Sequence, residues 1–381
     1  MKKVLILFFA IIITACASSR SGYQGTMQIP KTVDSSKVKE LTELREQYIA
    51  SGRYQEAIEV STKLIELMPD TALFYYSRGE AYAKSDNYAS AIEDFEKALT
   101  MDPGGLGKQP PVYFNIGTAY LKWGKNDEAI KYFDKALSLE RRYASALVHR
   151  GIAYGNLGKM DLAKTDFDRA LEMDPKNALA YYNRAHLFAI LNDYKRVVGD
   201  LNKCLELDPK EYSKDPVVFH NRGEANHKLG KLKEALADFD KALSLNPRYV
   251  LALANRGNVY AEMRKYDLAF KDFDMAVGYE PRNDVALWWR GALYYSTGKL
   301  GPALDDLTKV VELNPRHVAA YLFITGIYSR QNNLEAACRC LKKTVAAAKQ
   351  IGFNNWNYLK TDKAFENVRK ASCYNEVMPL N

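Results

Sequence analysis

Five histidines, five cysteines and a recurring arginine–aspartate pair are the side chains here with chemistry to offer. His149, His186, His220 and His227 fall in one stretch, and imidazole is a common metal ligand. No acid or cysteine accompanies them at ligand spacing, so no metal site is expected. Cys338 and Cys340 stand two apart on a helical stretch and point to different faces, so they do not bond each other; in an oxidising compartment Cys373 can meet one of them. Cys204 sits at a small-residue packing position and is expected as a buried thiol. There is no CxxC pair, no Gly-rich phosphate loop following a strand and no nucleophile elbow. The expectation is therefore no cofactor and no enzyme.

What positions these residues is a repeat. The same residue classes return every 34 residues, or 38 where four have been inserted, from copies beginning at Val38, Ala72, Pro110, Ala144, Ala178, Pro216, Val250, Asp284 and Val318. The clearest copy has Leu147, Arg150, Gly151, Tyr154, Ala163, Phe167, Ala170 and Pro175. Leu147, Gly151 and Tyr154 share one face of a first helix, and Ala163, Phe167 and Ala170 one face of a second. Pro175 lacks an amide hydrogen and stops the second helix. One such hairpin cannot bury its apolar face, so neighbours must stack.

Nine copies in register resemble the tetratricopeptide repeat. The resemblance implies an all-α fold, a right-handed superhelical solenoid of about nine helix-turn-helix repeats over 38–345 with a C-terminal helical cap over 346–381. The first copy is degenerate, with Arg45 for the small residue and Ser61 for the large one; the ninth has Thr325 and Thr344 where small residues are expected. Trp356, Leu359, Phe365 and Val368 are expected to cover the last apolar face, and the insertions Leu106–Gln109 and Tyr212–Asp215 to act as kinks between blocks.

Position 7 of the repeat is Arg78, Arg150, Arg184, Arg222, Arg256 and Arg290, and position 23 of the same six copies is Asp94, Asp166, Asp200, Asp238, Asp272 and Asp306. The other three copies have Leu44, Ile116 and Ile324 at position 7 and no acid at 23. The two positions change together, so each Arg is expected to make a forked hydrogen bond to the Asp of its own hairpin. Pairing of position 7 with position 23 of the preceding copy fails, because Arg150 would face Tyr132. The role is structural.

The start of the chain is separate. Lys2 and Lys3 precede a ten-residue apolar run, Val4–Ile13, too short for an ordinary membrane-spanning helix. It ends Ile13-Thr14-Ala15-Cys16. This resembles a bacterial lipoprotein signal. The resemblance implies a signal peptide over 1–15, cleavage before Cys16, a diacylglycerol on its sulfur, and anchoring in the bacterial cell envelope at the outer membrane. Residues 16–37, rich in Ser, Gly, Thr and Lys, read as a flexible tether.

The net charge is +8, from 54 basic and 46 acidic residues, with no dense basic block, so nucleic acid is not an expected partner. In the resembling family the residues of the first helix left over after packing line a concave groove. Here they are Asn115, His149, Tyr182, Asn183, His186, His220, Asn221, His227, Asn255 and Asn258, with Trp288, Trp289, Tyr295 and Phe323 as an aromatic patch or as filler beneath the cap. An asparagine amide both donates and accepts, so a ladder of them suits an extended peptide backbone. The expected partner is a protein or peptide, the function a lipid-anchored scaffold; the alternative is a glycan-binding lipoprotein.

Overall fold

The computed structural model describes residue 30 and residues 33–353 and 355–378, all helix and loop. Cys16, the signal segment and most of the tether lie outside the described residues. Nine hairpins are present among the described residues, in two compact units divided between Leu207 and Asp208. The first unit pairs Ser35–Ala50 with Tyr54–Leu67, Ala72–Lys84 with Tyr88–Met101, Pro110–Lys122 with Asn126–Leu139, Ala144–Asn156 with Met160–Met173, and Ala178–Ile190 with Tyr194–Leu207. The second pairs Pro216–Lys228 with Leu232–Leu245, Val250–Glu262 with Tyr266–Tyr279, Asp284–Ser296 with Leu300–Leu313, and Val318–Arg330 with Leu334–Ile351. Within each unit the second helix of one hairpin packs on the first helix of the next.

Each hairpin closes where a small residue meets a large one sixteen positions on. A Cβ added to Gly151 would lie 2.8 Å from the Phe167 ring, and one added to Gly257 would lie 2.7 Å from Phe273. Phe95, Phe133, Phe167, Phe239 and Phe273 are all fully buried at this place. In the fifth hairpin the pair is Ala185 with Leu201, a larger small residue and a smaller large one. The first hairpin reverses the sizes: Arg45 is buried at the small position and Ser61 at the large one. The turn between helices passes through one left-handed residue; Gly158 takes φ +74° without a Cβ penalty, while Arg264 holds φ +59°.

The first helix begins at Ser35, three residues before the repeat's register, because the Asp34 carboxylate accepts from the amides of Ser36 and Lys37. The ninth hairpin's second helix runs to Ile351, past the expected end at 345. It meets no proline there and stops at Gly352, which takes φ +69°. The insertions are folded turns. Leu106–Lys108 is a 3-10 turn with Leu106 buried and the Asp102 carboxylate accepting from the Gly105 and Leu106 amides. Pro209–Tyr212 is one helical turn. The division into compact units falls shortly before the second insertion, between Leu207 and Asp208, and not at the first.

Leu359, Phe365 and Val368 are fully buried against Ala337 and Leu341 of the ninth hairpin, with Trp356 half-buried beside them. A disulfide joins Cys338 to Cys373, Cα–Cα 5.8 Å, and so ties the cap to that hairpin. Cys204 is buried, as its position in the repeat suggests.

Substituting Gly151→Ala should destabilise the protein by about 1–3 kcal/mol, since the Phe167 ring must move in a packed core. Adding Phe167→Leu, the fifth hairpin's solution, should restore part of the loss. Urea unfolding of the two single variants and the double variant checks this, and strictly additive losses would contradict it.

Candidate functional site

Four of the six repeating arginines, Arg150, Arg184, Arg256 and Arg290, are each held by two carboxylates. Nε and Nη2 of Arg150 donate to Asp166 Oδ2 and Oδ1 at 2.8 and 2.7 Å, a fork within one hairpin. The same two-atom fork joins Arg78 to Asp94, Arg184 to Asp200, Arg256 to Asp272 and Arg290 to Asp306, while Arg222 holds Asp238 through Nε at 3.1 Å and Nη2 at 2.5 Å. In five of the arginines the third nitrogen reaches back to the preceding hairpin of the same unit, and for Arg78 the partner there is a hydroxyl, Nη1 donating to Thr62 Oγ1 at 3.2 Å. Arg150 Nη1 donates to Asp134 at 2.5 Å, Arg184 to Asp168 at 2.7 Å, Arg256 to Asp240 at 2.7 Å and Arg290 to Asp274 at 2.9 Å. Among the described residues position 23 of the preceding hairpin makes no bond to these arginines, as expected, but the preceding hairpin still contributes a partner. It offers position 25, two residues past position 23, where Tyr132 stands in the third hairpin.

The own-hairpin aspartates are buried, whereas Asp134, Asp240 and Asp274 are more than half exposed. Hydrogen bonds to Asp200, Asp272 and Asp306 raise the Arg184, Arg256 and Arg290 guanidinium pKa values above normal, against the opposing pull of burial. Each arginine also lies over an aromatic ring of its own helix; Arg150 is 5.8 Å from the Tyr154 centroid. The third hairpin, with Ile116, solves the junction differently. Tyr132 stands at position 23, and its hydroxyl donates to Glu96 of the second hairpin at 2.8 Å, with Tyr120 stacked on it.

The residues expected to line a groove divide into buried and reachable groups. In the first unit His149, Tyr182, Asn183 and His186 are buried. His149 Nδ1 bonds the Ser145 carbonyl at 2.9 Å, with the ring edge-on to Phe114; His186 packs edge-on to Tyr182 at 4.5 Å. Burial lowers both histidines to about 4. The Asn183 Nδ2 donates to the Leu179 carbonyl, and the half-exposed Asn115 Nδ2 donates to Tyr76 Oη and Glu80. In the second unit His220 and Asn258 are buried, while Asn221, Asn255 and His227 are half-buried. His227 Nε2 meets Glu262 at 2.8 Å. An open lining by all ten residues is thus corrected, because stacking carries many first-helix positions under the next hairpin. Tyr295 is buried and stacks on Phe323 at 4.6 Å, whereas Trp288, Trp289 and Phe323 stay half-exposed.

Among the described residues no three His, Cys, Asp or Glu side chains are grouped to hold a metal ion, and no described helix is long and apolar enough to cross a membrane.

Hairpins closed by a small-on-large contact and stacked through a clamp define a helical-repeat protein. The repeats are tetratricopeptide repeats: a family model of that description matches residues 72–104, 110–143, 144–177 and 216–249, and two further models of such repeats match 46–86 and 167–197. The chain is 43% identical over 56 residues to sperm-associated antigen 1 of Mus musculus, and 41% identical over 56 residues to the Rattus norvegicus protein, covering 15% of this chain and 6% of each relative. The match thus spans a small fraction of those relatives' length. Among solved structures, a tetratricopeptide repeat protein from Parabacteroides merdae is 20% identical with a TM-score of 0.50, covering 66% of this chain and 97% of that one. The APC/C hetero-tetramer Cut9–Hcn1 is 16% identical with a TM-score of 0.53, covering 78% of this chain and 57% of that one. At these identities the likeness is one of fold.

Asp166→Ala leaves the Arg150 guanidinium partly buried without its main partner and should cost about 3 kcal/mol. Asp134→Ala removes an exposed partner and should cost less than about 1 kcal/mol. Urea midpoints of the two variants compare them, and equal losses would contradict the two-carboxylate account.

A pH dependence follows from the buried histidines. The unfolded chain takes up their protons near the usual value of about 6.5, the folded chain only near 4. The unfolded state therefore binds more protons between these values, and stability falls as pH drops from about 6.5 to 4. The loss is about 3 kcal/mol per histidine at most. Urea midpoints across this range should fall less steeply in His186→Phe than in the wild type.

Proposed function

We propose that this protein is a non-enzymatic, lipid-anchored scaffold of the bacterial cell envelope, held at the outer membrane through Cys16, whose stacked repeats bind a protein or peptide. Tetratricopeptide domains bind such partners. In the second unit, half-exposed Asn221, Asn255, Trp288, Trp289 and Phe323 supply hydrogen-bonding and aromatic groups on first helices, and that set carries the reading. Aromatic anchors are what interface hot spots use. For the anchor, the support is the run Ile13-Thr14-Ala15-Cys16 behind a short apolar core. A disulfide in the cap also suits an oxidising compartment outside the cytoplasm.

Two measurements test this. Cells expressing the wild type and fed radiolabelled palmitate should yield a labelled protein in the outer-membrane fraction, and Cys16→Ser should carry no label; label that survives the substitution removes the anchor. A photo-crosslinking amino acid at Trp289 should give a discrete protein adduct in cells, and the same group at the exposed Lys233 none. Equal crosslinking at both positions, or none at either, removes the binding face.

A further inference from the structure

The amides of the asparagine series are not interchangeable. Asn115 and Asn183 spend their Nδ2 groups on the protein itself. Asn255 does so as well, donating from Nδ2 to Nε2 of His220 at 3.0 Å. At Asn221 the committed atom is the oxygen: Oδ1 lies 3.1 Å from the other ring nitrogen, Nδ1, of the same His220.

His220 is 2% exposed and packs against Phe239 and Tyr249. Burial lowers its pKa against the attraction of Glu224, so the ring is neutral, with one N–H and one lone pair. An amide NH₂ cannot accept, so Nε2 carries the lone pair facing Asn255. Nδ1 then carries the hydrogen and donates it to Asn221 Oδ1. The three side chains form one directed chain of hydrogen bonds, from Asn255 through His220 to Asn221, each bond polarising the next. Its ends are complementary. Asn221 keeps its N–H donors and Asn255 keeps its carbonyl oxygen, on half-exposed positions of adjacent hairpins in the same unit.

We propose that His220 is a positioning residue that sets the polarity with which the sixth and seventh hairpins bind an extended peptide backbone, Asn221 donating to a ligand carbonyl and Asn255 accepting from a ligand amide. This rests on the reading that the repeats bind a peptide. His220 touches no ligand; it turns two amides in opposite senses.

The test has two arms. In the full mature protein labelled with ¹⁵N-histidine, nitrogen shifts should show His220 protonated at Nδ1 and bare at Nε2; a hydrogen on Nε2 overturns the proposal. In the second arm, a peptide selected from a random dodecapeptide phage library on the wild-type protein is titrated with backbone amides methylated one at a time. Methylating one amide should weaken binding about tenfold in the wild type and have little effect in Asn255→Ala or His220→Phe. A bound peptide whose methylation penalty is the same in wild type and Asn255→Ala overturns this proposal alone. A library that yields no binder overturns it together with the parent reading.

Discussion

A missing side chain governs this architecture. With only hydrogen at Gly79, Gly117, Gly151, Gly223 and Gly257, a phenylalanine ring sixteen residues later can lie across the opposite backbone. That approach fixes how the two helices of a hairpin cross. Once it is fixed, the neighbouring position is fixed too. Arg78 precedes Gly79 and Asp94 precedes Phe95, so the fork between arginine and aspartate has the same offset as the packing contact. Core and charge are two readings of one crossing.

The arginine also converts a hairpin motif into a stacking motif. Its fork binds a buried carboxylate on its own hairpin, and in Arg150, Arg184, Arg256 and Arg290 the remaining nitrogen reaches an acid on the one before. The buried carboxylate compensates most of the guanidinium's desolvation, and the exposed one adds direction at little energetic gain. Where the arginine gives way to Ile116, a tyrosine hydroxyl from the third hairpin reaches Glu96 instead. The junction keeps a polar link although its chemistry changes.

Hairpin number, the turns and the fork between positions 7 and 23 could be read from the sequence because each recurs, and recurrence within one chain substitutes for comparison between chains. The backward link was missed for a definite reason. Position 25 before an arginine-bearing copy is Asp134, Asp168, Asp240 or Asp274 in four cases but Thr62 and Asn202 in the other two, so it does not vary in step with the arginine as position 23 does. The fate of the groove residues was less accessible. Whether His149 or Asn183 faces solvent depends on how far the next hairpin leans over it, and that lean is a tertiary quantity with no local signature. The opposed amides at Asn221 and Asn255 were hidden likewise, since one buried imidazole decides them.

The ninth hairpin carries Ile324 and Cys340 where its neighbours carry arginine and aspartate, and its cap is fastened by sulfur. Ionic strength and thiol reagents are therefore separate handles on this molecule. Added salt screens the exposed contacts of Asp134, Asp240 and Asp274 and does not act on the disulfide, whereas a reductant cuts the covalent tie of the cap and does not act on those charges.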